Sequence, residues 1–195
     1  MRTRIVMLTL AVAGIAAAVH AGAITGTVQI RGVSNTSGAV VYLDKIDGQT
    51  FEAPADPVVM DQKGKVFVPR VLPVLVGTTV DFLNSDPFTH NVFTPDPCPE
   101  SFDLGGWAMG EIRSHTFSQP CVATILCNTH PEMDGYVLAL ETPYFAVTGA
   151  NGSYRIDDVP DGDYTVVVWQ ERLRKNHTAS VSVSGETEAD FALER

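Results

Sequence analysis

Within the run LCNTHPEMDG, Leu126–Gly135, the chain places Cys127, His130 and Met133 at the spacing C-x2-H-x2-M. Each residue has an ordinary explanation taken singly. Methionines usually fill core gaps, a lone histidine is more often structural than a ligand, and one free thiol can simply be buried. Together, however, a thiolate, an imidazole and a thioether form a donor set that favours copper. Zinc is served less well, because structural zinc takes cysteine and histidine and a thioether binds it poorly. The run lacks a second imidazole. His90, in SDPFTHNVF, best supplies it, since it opens an apparent strand after a polar turn and could face the cluster across a β-sandwich. His20 lies in an apolar N-terminal segment, and His115 and His177 sit among polar or charged neighbours, as exposed residues do. The expected ligands are therefore His90, Cys127, His130 and Met133, holding one copper ion per chain.

The setting of these residues is an exported chain. Arg2 and Arg4 precede an apolar run from Ile5 to Val19, and Ala21, Gly22 and Ala23 follow, the layout of a secretory leader cut after Ala21 or Ala23. The apolar run is too short to span a bilayer, so no membrane insertion is expected once residues 1–23 are removed. Removal takes two of the 13 basic residues and none of the 23 acidic ones, moving the formal charge from -10 to -12. Such acidity argues against nucleic acid, whose phosphates it would repel, and suits a partner with a basic docking face. In an oxidising compartment three cysteines leave one thiol over. A Cys98–Cys121 disulfide is the pairing that leaves Cys127 free for the cluster.

The elements that must position the cluster read as all-β. TGTVQIRG, GAVVYLDKI, KVFVPRVLPVLVGTTVDFLNSD, HNVFT, Val122–Leu126 and GYVLALE are β-rich runs bounded by Gly, Pro and Asn clusters. PDPCPESFDLGGWAMGE reads as a loop. Strands joined by GANGS and VPDGD follow, then TASVSVSGETEADFAL. No segment sustains a 3.6-residue period, so helix should be scarce, and short strands at this spacing point to a sandwich or barrel. Trp107 and Met109 are expected to pack beneath or beside the cluster, and Trp169 in the core of the C-terminal sheet.

GTTVDFLNSDPFTHNVF followed by CNTHPEMDGYVLAL resembles the cupredoxins, the small blue copper proteins. The ligand-loop spacing is that of amicyanin, whereas plastocyanin's loop has two more residues before its methionine. With FDLGG and PYFAVTGANGSYRIDDVPDGDYTVVVWQE, the chain looks like plastocyanin-like proteins associated with methylamine utilisation, over roughly Val58 to Glu171. The resemblance implies a Greek-key β-sandwich in which His90, Cys127 and His130 hold copper with Met133 on the axis. It further implies that Asn91 ties the two ligand loops together, and that Pro131 flanks His130 as an electron port. Many relatives have glycine where Cys121 stands, so the resemblance says nothing for the disulfide.

The remaining strands, ITGTVQIRG to GAVVYLDKI and FAVTG onward, look like carboxypeptidase-regulatory or transthyretin-like β-sandwich modules. The resulting division is a leader over 1–23, first module strands over 24–51, an inserted cupredoxin over 52–142, and the rest of the module over 143–195. A simple tandem is the alternative. The function implied is single-electron transfer between periplasmic proteins such as a c-type cytochrome or a dehydrogenase, without enzymatic activity. Copper carriage or storage, and a β interaction module with incidental copper, are the competing readings. Glu132, beside the axial position, leaves open a non-blue site.

Overall fold

A computed structural model describes residues 21–98 and 101–195. Among the described residues every regular element is a strand. First come β1 (Ala21–Ile30) and β2 (Val40–Leu43). They are followed by β3 (Val58–Gln62), β4 (Phe67–Val68), β5 (Val71–Leu75), β6 (Thr79–Asn84), β7 (His90–Thr94), β8 (Phe102–Trp107), β9 (Ile112–Thr116), β10 (Cys121–Leu126) and β11 (Asp134–Leu140). The last six are β12 (Phe145–Val147), β13 (Ser153–Pro160), β14 (Gly162–Trp169), β15 (His177–Val183), β16 (Glu186–Glu188) and β17 (Phe191–Leu193).

Strands β3 to β11 form one sandwich, with layers β5-β11-β10-β7-β8 and β4-β3-β6-β9. Strand β6 shows why: Val80, Phe82 and Asn84 are buried while Thr79, Asp81 and Leu83 are less so, the period of a strand with one covered face. Met60, Phe67, Phe82, Phe117 and Ile125 fill the space between the layers.

The second sandwich draws on both flanks. Strand β1 pairs antiparallel with β13 and parallel with β16 and β17, while β2 lies between β12 and β14. Ile24, Val28, Val41, Leu43, Ile156 and Val166 make its core. The chain therefore leaves this sandwich after β2 and returns to it at β12. A third apolar cluster, Val40, Val71, Leu138, Leu140 and Trp169, joins the two. It accounts for the unbroken burial of Val137 to Leu140: alternate residues face the first core and the junction. Trp169 thus packs in the junction, 5.1 Å from Tyr136 between ring centroids, rather than inside the C-terminal sheet.

Several expectations are corrected. The segment read as a loop contains β8, which pairs with β7 through His90 opposite Trp107 and Asn91 opposite Gly106. Its glycines hid it: Gly105 has φ +70°, and the register slips between Asn91 and Phe93, as at a β-bulge. Strands β3 and β9 were not anticipated either. Trp107 is buried in the first core as expected, but Met109 is 60% exposed. His115 is half-buried, stacked on Phe102 at 3.9 Å and edge-on to Phe117 at 4.9 Å. The expected leader lies outside the described residues up to position 20. Ala21, Gly22 and Ala23 belong to β1, where the buried Ala23 donates its N–H to the Gly185 carbonyl at 3.0 Å.

Cys98 and Cys121 are joined in a disulfide, with Cα atoms 5.4 Å apart, and Cys127 is free and buried. The bridge ties the segment after β7 to the start of the strand that ends next to Cys127. With 23 residues of separation, loop entropy gives it about 3 kcal/mol. Replacing both cysteines by serine should lower the unfolding free energy by that order in denaturant titrations, and an unchanged midpoint would refute the assignment.

Burial pulls the His115 pKa below its ordinary value, so the unfolded chain takes up this proton first as pH falls. The stability it contributes is full above about pH 6.5 and declines below it. The variant His115→Phe should flatten the stability curve below about pH 6.5, measured by denaturation across that range. An acid limb of unchanged slope would clear this ring of responsibility.

Candidate metal centre

Pairing between neighbouring strands brings the ligands together. Strands β7 and β10 run antiparallel with Leu126 opposite Phe93, so the exit of β10 lies beside the entry of β7. Cys127 directly follows β10, and His90 is the first residue of β7. The short passage to β11 carries His130 and Met133, closed by the Met133 N–H donating to the His130 carbonyl at 2.9 Å. Asn91 accepts the Asn128 N–H on its Oδ1 at 2.6 Å, tying the two ligand segments together.

Three donor atoms face one another. His90 Nδ1 lies 3.1 Å from His130 Nδ1 and 3.8 Å from Cys127 Sγ, and all three ligand atoms fall within 4.8 Å. Nitrogens bound to one ion at about 2.0 Å, with about 100° between them, lie about 3.1 Å apart. A nitrogen at about 2.0 Å and a sulfur at about 2.3 Å, separated by about 120°, lie about 3.7 Å apart. The observed spacing fits one shared ion. His90 and Cys127 are buried, and His130 is half-buried. Met133 is 1% exposed and belongs to the same core cluster as Cys127 and Trp107. Pro131 and Glu132 are exposed, and no carboxylate is among the grouped donors.

Two contributors were not foreseen. Asp86 accepts a hydrogen bond from His90 Nε2 on Oδ2 at 2.9 Å. With Nε2 protonated and engaged, Nδ1 carries the lone pair that a metal needs. The carboxylate is itself fixed, accepting the Gly64 N–H at 2.7 Å and the Lys65 N–H at 2.9 Å. Burial alone would raise its pKa, but the two backbone amides and His90 outweigh that and hold it below the ordinary value. Gly64 and Lys65 have φ of 67° and 61°, both left-handed, as in the tight hairpin turn between β3 and β4. The second contributor is Phe88, which lies edge-on to His90 at 5.2 Å and tilted against His130 at 5.3 Å. No spacing rule points to either residue. In SDPFTH, Asp86-Pro87 reads only as turn chemistry.

Strands β3 to β11 form a two-layered β-sandwich with the His90, Cys127 and His130 cluster at one end, the architecture that the resemblance to cupredoxins implies. Solved structures similar to the chain include a copper-containing nitrite reductase from Thermus scotoductus, at 30% identity and TM-score 0.43, over 51% of this chain and 25% of that one. The chain thus spans about a quarter of that protein. Others are a mutant of amicyanin in its Cu(I) form, at 23% identity and TM-score 0.41, covering 45% of this chain and 86% of that one, and a purple cupredoxin from Nitrosopumilus maritimus, at 24% and 0.38, covering 42% and 98%. No family model and no curated protein matches the chain.

The Asn91 side chain gives the first sandwich a testable crosslink. Asn91→Ala would leave the Asn128 N–H without its acceptor and should cost about 1–2 kcal/mol, read as a lower unfolding midpoint of the metal-free protein. A midpoint equal to that of the unaltered protein would show that solvent replaces the bond without loss.

Proposed function

We propose that the chain is an exported type 1 copper protein that passes single electrons between periplasmic redox partners. His90, Cys127 and His130 would hold the ion, with the Met133 thioether as a fourth donor. The observation that carries this reading is the convergence of two imidazole nitrogens and a buried sulfur at one end of a rigid sandwich. Copper in such a donor set exchanges one electron between its two common oxidation states. The chain's task is to keep the donors still through that exchange. Strand pairing fixes His90, the Asn91 bond fixes Asn128 beside Cys127, and the surrounding core excludes water. The burial of Met133 among the residues packed with Cys127 supports its place as a fourth donor.

His130 is the ligand nearer solvent, next to exposed Pro131 and to Phe88, which is 38% exposed. This edge is the port through which an electron enters and leaves, and a basic face on a c-type cytochrome or dehydrogenase complements the net charge of -10. A relay is favoured over an enzyme by the neighbours of the thiolate. Leu126 and Asn128 flank Cys127, and the chain has no H-x-H pair to carry electrons onward to a second metal.

The visible absorption and EPR spectra of the copper(II)-loaded protein, beside Cys127→Ser, test the proposal. An intense thiolate-to-copper band with a narrow parallel hyperfine splitting, absent from the variant, is the expected result. Tightly held copper with only a weak band would overturn the blue-site reading in favour of a carrier or a non-blue centre.

A further inference from the structure

We infer that Asp86 is a positioning residue for the centre: a fixed, buried carboxylate that orients His90 and biases bound copper toward its more positive oxidation state. The inference rests on the type 1 reading and goes beyond it, because it assigns control of the site's potential to a residue outside the ligand set.

The geometry carries it. His90 is fully buried, and its Nε2 meets the carboxylate of Asp86, itself only 6% exposed. The remaining nitrogen, Nδ1, is the atom facing Cys127 and His130. A carboxylate on the far nitrogen of a ligating imidazole fixes its tautomer and ring orientation and makes the near nitrogen a stronger donor. The same unit of negative charge lies in a water-poor setting, where screening is weak. Both effects act in one direction, favouring copper(II) over copper(I) and lowering the reduction potential.

Asp86 is also held as a device of this kind has to be. Its two oxygens take the successive amides Gly64 and Lys65, presented by the tight turn of the opposite layer, and its own N–H donates to Asn84 Oδ1 at 2.9 Å. Asn84 in turn donates to the carbonyls of Phe88 and Trp107, at 2.8 and 2.9 Å, which closes the loop between Asp86 and His90. The carboxylate therefore cannot swing to solvent without breaking several bonds. Lys65 does not neutralise it in the structure, since its Nζ lies over the Phe88 ring at 5.4 Å from the centroid.

Asp86→Asn keeps the shape and an acceptor but removes the charge, and Asp86→Ala removes both. The experiment measures midpoint potential, copper(II) and copper(I) affinities, and the visible band of both variants beside the unaltered protein. The proton NMR signal of His90 Nε2–H is followed in the metal-free state. Asp86→Asn should keep the thiolate band and lose about tenfold in copper(II) affinity relative to copper(I), a rise in potential of about 59 mV. The Nε2–H resonance should be slowly exchanging and far downfield in the unaltered protein, move upfield in Asp86→Asn and vanish in Asp86→Ala. An intact band with a potential that stays put or falls in both variants would overturn the assignment to Asp86. If the unaltered protein lacks the band, the type 1 reading fails, while the NMR signal and the copper(II) affinities still decide whether Asp86 positions His90. An Nε2–H signal indifferent to both substitutions would overturn that role too.

Discussion

Two imidazole nitrogens 3.1 Å apart, with a sulfur 3.8 Å from one of them, can share one proton or one ion only while both rings hold their orientation. A flexible chain would turn one ring aside. Here neither ring is free to turn. His90 is clamped at its far nitrogen by Asp86, and Phe88 packs against both rings. Much of the local architecture, from the β3–β4 turn to the Asn91 bond, makes sense as what holds this arrangement ready for an ion. The three donors come from β7, the end of β10 and the passage into β11, so no single segment could preserve their spacing alone.

The second sandwich contributes to the same rigidity from a distance. Strand β11 begins directly after Met133, and its outer residues Leu138 and Leu140 are buried against Val40 and Trp169. At the start of that strand, Asp134 bonds to Arg70, which also engages Glu171 beyond β14 and lies over the Tyr136 ring. Arg70 is partly exposed, so its ion pairs add little on their own. Their value is geometric, because they connect the residue that follows the ligand loop to the flanking module. Movement of the C-terminal strands relative to the first sandwich would be felt at Asp134, one residue from Met133.

The legibility of the sequence followed the range of the interactions. Cys127, His130 and Met133 were readable because their chemistry is packed into seven positions, and His90 because one more imidazole was needed and its setting was strand-like. The all-β character was plain from β-branched runs and turn residues, as in β6 and β14. Strand β8 was not, since its two glycines and bulge imitate a loop, and what makes it a strand is pairing with β7. His115 looked exposed beside Arg113 and Ser114, yet its ring packs against Phe102 and Phe117. Asp86 was invisible for a similar reason. Its role depends on the Gly64 and Lys65 amides, more than twenty residues away, and local sequence shows only an ordinary turn.

That distance bears on how the centre is built. The ligands lie in or after strands of one layer, whereas the amides that fix Asp86 come from the hairpin of the other. Much of the contact between the two layers is apolar packing, which is strong but indifferent to small sliding. A chain of directional bonds from the β3–β4 turn through Asp86 to His90 removes that freedom at the one place where a few tenths of an ångström alter metal binding. A buried anion is costly unless it is well bonded. Here the Gly64 and Lys65 amides and His90 donate to the carboxylate, and the bond from its own amide to Asn84 holds the backbone beneath it. The left-handed Lys65, an unfavoured conformation for a residue with a Cβ, is a local strain in the same chain of bonds. Folding of the opposite layer, not the ligand loop alone, therefore sets both the position of His90 and the charge it meets.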